Sequence, residues 1–181
     1  MDNKFIIREA RPEDVLSMHH IYHTTWLNTY PNEEFDITTE DIDFKYENRL
    51  RPEKIEERKN IIRQKKENQI MLIAESAGRI VGLCNAIRED DYNQLQAIYI
   101  LPEYQNIGIG SALWREAIKK FNLKNKTIVH VASYNQKAIN FYQKIGFIST
   151  EKIFSDEKYK MRNGAIIPEL EMIIEADNIK L

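Results

Sequence analysis

The stretch Leu95–Leu113, LQAIYILPEYQNIGIGSAL, decides the fold of this chain. Its first part, up to Leu101, is apolar on nearly both faces, which predicts a buried strand whose ladder ends at Pro102. One face of this strand would carry four alternating residues: Leu95, Ala97, Tyr99 and Leu101. Gly108 and Gly110 then permit positive φ angles and a close approach of the backbone to a ligand. Apolar residues recur after them at helical spacing, which predicts a helix that starts at the glycines: Leu113, Trp114, Ala117, Ile118 and Phe121.

A glycine turn at a helix N-terminus directs several N–H groups and the positive end of the helix dipole toward one point, which suits a phosphate. The P-loop pattern GxxxxGK[ST] is absent, because no lysine follows either glycine at that spacing. The dinucleotide pattern GxGxxG is only partly met. Leu113 occupies the third glycine position, and His130, not an acidic residue, stands about twenty residues on. A nucleotide-binding domain is therefore a weak interpretation.

Gln105–Gly110, QNIGIG, directly follows an Ile-Leu-Pro strand end and has the pattern Q/R-x-x-G-x-G/A. It resembles the acetyl-coenzyme-A pyrophosphate loop of the GNAT superfamily of N-acetyltransferases. Asn135–Phe147, NQKAINFYQKIGF, resembles the second signature of that family, N-x-x-A-x-x-x-Y-x-K-x-G-F. It follows a β-type run, Thr127–Ala132, and Gly146 suits the left-handed C′ position of its helix. The two signatures occur in the family order, and the rest of the chain has a similar layout.

The resemblance implies an α/β (α+β) GNAT fold. Its central sheet would be mixed and mainly antiparallel, with six to seven strands, a V-shaped splay and helices on both faces. We expect one N-acetyltransferase domain over residues 1–181. Residues 24–68 would form a variable helical segment on the substrate side, residues 95–121 the acetyl-CoA pyrophosphate loop and helix, and residues 127–147 the second signature.

Local patterns predict further elements. Phe5–Arg8 is typical of a strand, and Arg11–Asp14 of a helix start with proline near its first position. Thr24–Asp36, rich in aromatic and acidic residues, is predicted as a loop. Thr38 with Asp41 indicates a helix cap, and the helix would be kinked or restarted at Pro52 and continue to about Lys66. Two runs, 70–76 and 80–88, predict a β-hairpin.

Composition narrows the class of protein. Of the 181 residues 43% are apolar, enough for a core, and a net charge of −2 gives no indication of nucleic acid or an anionic membrane as partner. No run approaches the roughly 18 apolar residues of a membrane span. The N-terminal segment lacks the apolar core of a signal peptide, so we expect a cytoplasmic protein. The single cysteine, Cys84, excludes an internal disulfide and a multi-cysteine metal site, and we predict no metal.

The resemblance also implies which residues bind acetyl-CoA as cosubstrate. Backbone N–H groups from Gln105 to Ser111 would hold the pyrophosphate. The main chain of the preceding strand, at Ile98–Ile100, would pair with the pantetheine arm, and one of its N–H groups would bind the thioester oxygen. Asn135 would cap its helix, contact the arm or do both, and Lys144 would reach the phosphates or only solvent. The predicted set is Ile98, Tyr99, Ile100, Gln105, Asn106, Ile107, Gly108, Ile109, Gly110, Ser111, Asn135 and Lys144.

Tyr142 is the predicted catalytic acid. A phenol with a pKa near 10 is protonated at pH 7 and can give a proton to the departing thiolate. The alternative is a purely structural role, as part of an apolar helix stripe with Ala138 and Ile145.

The sequence offers several candidates for the base. A primary amine with a pKa of about 10.4 is almost fully protonated at pH 7, so the acceptor must lose a proton. Many relatives place a glutamate early in the phosphate strand, where this chain has Gln94 and Gln96. The remaining candidates are carboxylates, nearby histidines or a backbone-held water chain: Glu33, Glu34, Asp91, His19, His20 and His23.

Residues 33–47 carry seven acidic side chains against Lys45 alone: Glu33, Glu34, Asp36, Glu40, Asp41, Asp43 and Glu47. They are either solvated helix faces or an entrance that attracts a cationic amine. On the second interpretation we expect Trp26, Tyr30, Glu33 and Glu34 to bind the substrate.

We therefore predict an N-acetyltransferase that acts on a primary amine of a small molecule or peptide, with a polyamine favoured, and that can form a homodimer. The alternative is a non-catalytic acyl-CoA sensor or scaffold with the same fold.

Overall fold

A mixed sheet of seven strands forms the centre of the protein. The computed structural model describes residues 5–179, apart from the side chain of Lys158; residues 1–4 and 180–181, which the domain prediction includes, lie outside the described residues. The strand order is β1-β2-β3-β4-β5-β7-β6, and every neighbouring pair is antiparallel except β4 and β5, which are parallel. The strands are β1 Phe5–Glu9, β2 Gln69–Ser76, β3 Arg79–Arg88, β4 Tyr92–Ile100, β5 Lys126–Ala132, β6 Ile148–Ser155 and β7 Pro168–Ile174.

Helices cover both faces of this sheet, and the predicted fold class is confirmed. They are α1 Val15–Thr29, α2 Thr39–Glu47, α3 Pro52–Gln64, α4 Ile109–Ile118 and α5 Gln136–Lys144. Helices α4 and α5 pack on one face through a core that includes Leu113, Ile118 and Ile139. Helices α1 and α3 pack on the other face, where Ile21 and Ile62 are buried. None of the helices in the described residues is long and apolar enough to cross a membrane.

The sheet opens between β4 and β5. Their parallel pairing runs from Tyr92 opposite Lys126 to Leu95 opposite Val129 and then ends. Both strands continue, β4 to Ile100 and β5 beyond Val129. From that point β4 is paired with β3 but not with β5. This is the predicted V-shaped splay, and it exposes one backbone edge of β4.

A β-bulge in β4 changes which side chains share a face. Asn85 of β3 pairs with Ala97 and Ala86 pairs with Leu95, so Gln96 is an extra residue without a partner in β3. Leu95 and Ile98 consequently pack in the same core as α4, although they are separated by an odd number of residues. The prediction that Leu95, Ala97, Tyr99 and Leu101 form one alternating set is wrong across the bulge, because an inserted residue reverses the alternation.

Helix α1 is longer than the sequence indicated. Residues Thr24–Thr29, predicted as part of a loop, form its last turns. Thr25 and Trp26 are buried, and Thr25 Oγ1 donates to the Ile21 carbonyl oxygen at 2.7 Å. A buried threonine whose hydroxyl is satisfied within the helix can remain helical.

The other local predictions are confirmed. Thr38 Oγ1 accepts from the Asp41 backbone N–H at 3.1 Å at the start of α2. Pro52 is at the start of α3, after a break at the end of α2, and the β2–β3 hairpin turns at Ala77 and Gly78. Cys84 is fully buried in β3, and burial raises the pKa of its thiol to about 12, so it is a packing residue.

An ion pair joins β1 to the start of α1. The Arg8 guanidinium donates to both carboxylate oxygens of Asp14, at 2.7 and 2.9 Å, and its Nε donates to Glu75 at 2.9 Å. Burial of Asp14 opposes its ionisation. The hydrogen bonds from Arg8 and from the Arg11 backbone N–H outweigh burial, so the pKa of Asp14 lies below its usual value.

We expect Asp14→Asn to lower the free energy of unfolding at pH 7 by about 2 kcal/mol, as for other hydrogen bonds to charged groups. Because the pKa of folded Asp14 is lowered, the contribution is present above the unfolded value of about 3.9 and is lost as the pH falls through the folded value. Urea unfolding of wild type and mutant between pH 7 and pH 3 measures it. Glu13→Gln, at a neighbouring residue, is the control. Equal losses for the two variants would contradict this role of Asp14.

Candidate active site

The loop before α4 has the geometry of an anion site. Gly108 is the N-cap of α4 with φ 91° and ψ −2°, a left-handed conformation that favours glycine. In the described residues, the first backbone bond that ties this helix together runs from Ala112 N–H to the Gly108 carbonyl oxygen at 3.0 Å. The N–H groups of Ile109, Gly110 and Ser111 therefore belong to the open N-terminal turn. A Cβ on Gly108 would meet no atom within 4 Å, so there is open space beside this turn.

Gln105 stabilises this loop, and its backbone N–H is used within the loop and not for a ligand. Its backbone N–H donates to the Pro102 carbonyl oxygen at 3.3 Å, and its Nε2 donates to the Ile100 carbonyl oxygen at 2.9 Å. Its Oε1 accepts from Nζ of Lys137, in the first turn of α5. The predicted pyrophosphate donors thus reduce to the N–H groups from Asn106 to Ser111.

Gly110 is required by packing. A Cβ there would lie 3.1 Å from Cε2 of Phe141 and 3.3 Å from Cδ1 of Ile100. The absence of a side chain lets the start of α4 approach both α5 and the end of β4. The two glycines of the loop are therefore needed for different reasons: Gly108 for its backbone conformation and Gly110 for its lack of a side chain.

The open edge of β4 presents two of the three predicted backbone groups. Leu101 N–H donates to the Val81 carbonyl oxygen of β3 at 2.9 Å. Antiparallel partners alternate between bonded and non-bonded pairs, so Tyr99 also faces β3, whereas Ile98 and Ile100 turn their main chain to the gap between β4 and β5. The Ile100 carbonyl oxygen is already bonded by Gln105. The Tyr99 main chain is thus not placed to pair with a ligand in the gap.

Tyr142 lies on α5, buried in the core beside β4, with its ring 5.7 Å from that of Phe147. Burial raises the pKa of its phenol above the usual value, and the nearby Tyr99 hydroxyl adds to this. Tyr142 therefore stays protonated throughout the physiological range, as a proton donor requires. Both the predicted acid role and the alternative packing role agree with this position.

Asn135 and Lys144 have different surroundings. Asn135 is the N-cap of α5, and its Oδ1 accepts from the Ala138 backbone N–H at 3.1 Å, so its capping role is confirmed. Lys144 is exposed in the last turn of α5. It lies two helical turns, roughly 10 Å, beyond Lys137. Lys137, which no sequence pattern singled out, is the lysine that reaches the glycine loop.

A cleft of about 350 Å³ lies on the other side of β4. Aromatic side chains of α1, α2, β4 and the segment before β7 form much of its wall: Tyr22, Trp26, Tyr46, Tyr99 and Tyr159. Polar side chains of the central strands line the rest: Asn85, Gln94, Gln96, His130 and Glu169. Arg49 and Arg58, together with Leu95 and Ala97 of β4, complete it. We call this the aromatic cleft. Its volume is at the lower end of the range for small-molecule sites.

Two of the four predicted substrate residues lie at this cleft. Trp26 lines it, and Tyr30 bonds to Tyr99 through their hydroxyl groups at 3.0 Å. Glu33 and Glu34 lie in the turn between α1 and α2 and do not line the cleft.

The predicted base candidates are also outside the aromatic cleft. His19 Nε2 bonds the Tyr46 carbonyl oxygen at 2.8 Å, and burial lowers its pKa. His23 lies 2.6 Å from Asp43, and His20 is exposed. Asp91 is exposed in the turn that precedes β4, at the opposite end of that strand from Ile100.

Glu169, the carboxylate of this cleft, was not predicted from the sequence. It lies on β7 opposite Ala132 and is buried, with 9% of its surface exposed. His130, also in the cleft, approaches Glu171 at 3.6 Å. A glutamate within an alternating strand, PELEMII, was the available signal. In the described residues no three His, Cys, Asp or Glu side chains are grouped as a metal site would need.

The family follows from these features and from one comparison. Residues 16–147 match the model of the acetyltransferase (GNAT) family, a span that contains the glycine loop, the splayed strand and α5. The chain belongs to the GNAT acetyltransferase family. The resemblance inferred from the two sequence signatures is thereby confirmed, and so is the expectation of an acetyltransferase. Comparison with the curated proteins finds no match.

Solved structures of GNAT enzymes share the fold. The PaiA N-acetyltransferase of Thermoplasma acidophilum in complex with coenzyme A has a TM-score of 0.74 at 21% identity, over 95% of this chain and 99% of that one. The ribosomal-protein-S18-alanine N-acetyltransferase of Escherichia coli has a TM-score of 0.64 at 18% identity, over 98% and 96%. YncA of Salmonella typhimurium, with acetyl-CoA, has a TM-score of 0.60 at 19% identity, over 98% and 97%. The prediction of acetyl-CoA as cosubstrate agrees with the coenzymes in two of these structures.

We expect Gly108→Val to raise the dissociation constant for acetyl-CoA about tenfold or more, which is roughly 1.4 kcal/mol of binding energy. A β-branched side chain disfavours the left-handed backbone and fills the space in front of the helix N-terminus. Calorimetric titration of the folded protein with acetyl-CoA is the measurement.

Gly164→Val is the matched control. Gly164 has φ +97°, and a Cβ there would meet no atom within 4 Å, as at Gly108, but it lies in the segment between β6 and β7. We expect a comparable loss of stability and no change in coenzyme affinity. If Gly108→Val bound acetyl-CoA as tightly as this control, the loop would not be the pyrophosphate site.

Proposed function

We propose that this protein transfers the acetyl group of acetyl-CoA to a primary amine bound in the aromatic cleft. The observation that carries the proposal is the gap between β4 and β5. It has the glycine loop at one end, the buried Tyr142 on one face of the sheet and the aromatic cleft on the other. A thioester in this gap would be accessible to an amine from the cleft and to a phenol from α5.

The open turn of α4 would hold the pyrophosphate through the N–H groups from Asn106 to Ser111. Lys137 would add a positive charge beside it, because its ammonium already lies at the loop. The arm of the coenzyme would then run along the exposed edge of β4. The backbone N–H groups there point in a fixed direction without reorganisation, which is the requirement for stabilising a developing oxyanion.

Tyr142 would protonate the leaving thiolate. Burial keeps the phenol protonated before the reaction, and the proton would be transferred as negative charge develops on the sulfur. The tetrahedral intermediate would collapse as the C–S bond breaks, with the phenolic proton passing to sulfur and the acetyl group remaining on the amine nitrogen. The nitrogen would lose its remaining extra proton to solvent, and the Tyr142 phenolate would be reprotonated from solvent.

Glu169 would receive the proton of the incoming ammonium, directly or through water. It is the carboxylate among the residues that line the aromatic cleft, and it shares that lining with Gln96, Tyr99 and His130. We assign the role of base to β7, on the far side of the splay, because β4 carries Gln94 and Gln96 and no carboxylate. Both amides can donate or accept hydrogen bonds to the acceptor but cannot take its proton.

We expect Tyr142→Phe to lower kcat by about 10²–10⁴-fold, the usual cost of losing a general acid. The ring and its packing are retained, so coenzyme affinity and melting temperature should stay close to wild type. The defect should shrink with an acyl donor whose thiol is more acidic, because that thiolate needs less protonation. Initial rates of thiol release with both donors are the measurement.

Tyr92→Phe, at the paired end of β4, controls for loss of a hydroxyl. A folded Tyr142→Phe protein that kept more than a tenth of wild-type kcat would assign Tyr142 to packing. Binding of acetyl-CoA without turnover on any amine would instead favour the non-catalytic sensor.

We expect Glu169→Gln to lower kcat/KM by about 10²-fold at pH 7, in the range for a lost general base. The defect should decrease as the pH rises toward the amine pKa of about 10.4, because the acceptor then arrives deprotonated. Glu175→Gln is the control, since Glu175 directly follows the same strand, is exposed and does not line the cleft. A defect independent of pH would exclude proton transfer to Glu169.

A further inference from the structure

The aromatic cleft has opposite charges on two of its sides. Arg49 comes from the short turn after α2 and Arg58 from α3, whereas Glu169 comes from β7. The acidic cluster of residues 33–47, which the sequence suggested as an attractor for a cationic amine, contributes no acidic residue to this lining. The charge that an acceptor meets at α2 and α3 is positive.

Arg49 is held in place without a carboxylate partner. It is half-buried, and its guanidinium carbon lies 4.8 Å from the centre of the Tyr46 ring, which restricts its position. In the part of the chain that the structure describes, no acidic oxygen lies within 4.0 Å of Arg49 or Arg58. A partly buried guanidinium whose N–H donors have no carboxylate partner is suited to bind a planar anion. It can do so through two parallel hydrogen bonds.

A third cation strengthens the field at the same wall. Lys45 Nζ lies 5.6 Å from the centre of the Trp26 ring and 5.7 Å from that of Tyr159, and both rings line the cleft. Burial lowers the pKa of Lys45, and the nearby Arg49 contributes to this. Burial raises the pKa of the Tyr22 hydroxyl to about 12. The positive charges of Arg58 and Arg49 oppose this rise in pKa. The cations thus converge on the aromatic wall.

From this arrangement we infer that the acceptor is a small amine that also carries an anionic group, a carboxylate or a phosphate, bound by Arg49 and Arg58. The inference rests on the proposed function, because it concerns the acceptor of that same site. The amine would lie toward Glu169 and the splayed strand, and the anion toward α2 and α3. A polyamine, which carries several positive charges and no anion, fits this cleft poorly.

The test compares acceptors that differ in the anionic group alone. L-Phenylalanine, L-phenylalaninamide and phenethylamine share one aromatic body, and O-phosphoethanolamine with ethanolamine tests phosphate in place of carboxylate. Spermidine represents the polyamines. Initial rates with saturating acetyl-CoA give kcat and KM for each compound. Calorimetric titration of the protein–coenzyme A complex with the same compounds gives acceptor affinity without turnover.

We expect kcat/KM for at least one of the two anion-bearing compounds to exceed that of its counterpart without the anionic group by tenfold or more, mainly through KM. Arg49→Gln and Arg58→Gln should each remove most of this preference, measured within each variant as the ratio of kcat/KM with and without the anionic group. Arg51→Gln, at an exposed arginine between α2 and α3 that does not line the cleft, should retain the preference. Each variant is compared at matched folded fraction by thermal melt.

The outcomes distinguish failure of the inference about the acceptor from failure of the proposed function. Turnover of spermidine or phenethylamine with no gain from an anionic group, or a preference that survives in the Arg49→Gln, Arg58→Gln double variant, overturns the inference and leaves acetyl transfer standing. Absence of turnover on every amine, with acetyl-CoA bound, overturns the proposed function and the inference with it. A preference lost in the arginine variants and kept in Arg51→Gln supports both.

Discussion

The site depends on one interruption of hydrogen bonding, where β4 loses its parallel partner after Leu95 while both strands continue. Backbone groups in a buried sheet need partners, so an unpaired edge inside a protein is costly unless a ligand or a side chain satisfies it. Here Gln105 satisfies the Ile100 carbonyl oxygen at the end of the edge. The rest of the edge has no strand partner beyond Leu95, and under the proposed function the coenzyme arm would pair with it as a strand does. The glycine loop, Tyr142 and the aromatic cleft surround this edge, and their proposed roles require it to be open.

Much of this architecture could be predicted because it is encoded locally. Pro102, the two loop glycines and the helical spacing after them specify a strand, a turn and a helix without reference to the rest of the chain. The cap at Thr38 and the left-handed Gly146, whose φ is 106°, are similarly local. Such features depend on the backbone chemistry of a few neighbouring residues, and the structure retains them.

What could not be predicted from the sequence depends on contacts between distant elements. Glu169 and Arg49 are brought to one cleft by the sheet order and by the packing of α2, neither of which leaves a periodic pattern in the chain. The acids Glu33 and Glu34 were favoured instead, because charge counts along a sequence ignore which side chains face the cleft. The bulge at Gln96 was missed for a related reason: an inserted residue is visible only in the register of β4 against β3.

The bulge at Gln96 also determines which side chains of β4 face each side of the sheet. The half of β4 before Gln96 and the half after it are out of phase, so the core beneath α4 receives Leu95 before the bulge and Ile98 after it. A relative that lacked the extra residue would present the opposite set of side chains to its acceptor with little change in composition. Gain or loss of a single residue at this point would therefore exchange the side chains that face the cleft while the surrounding strands and helices keep their places.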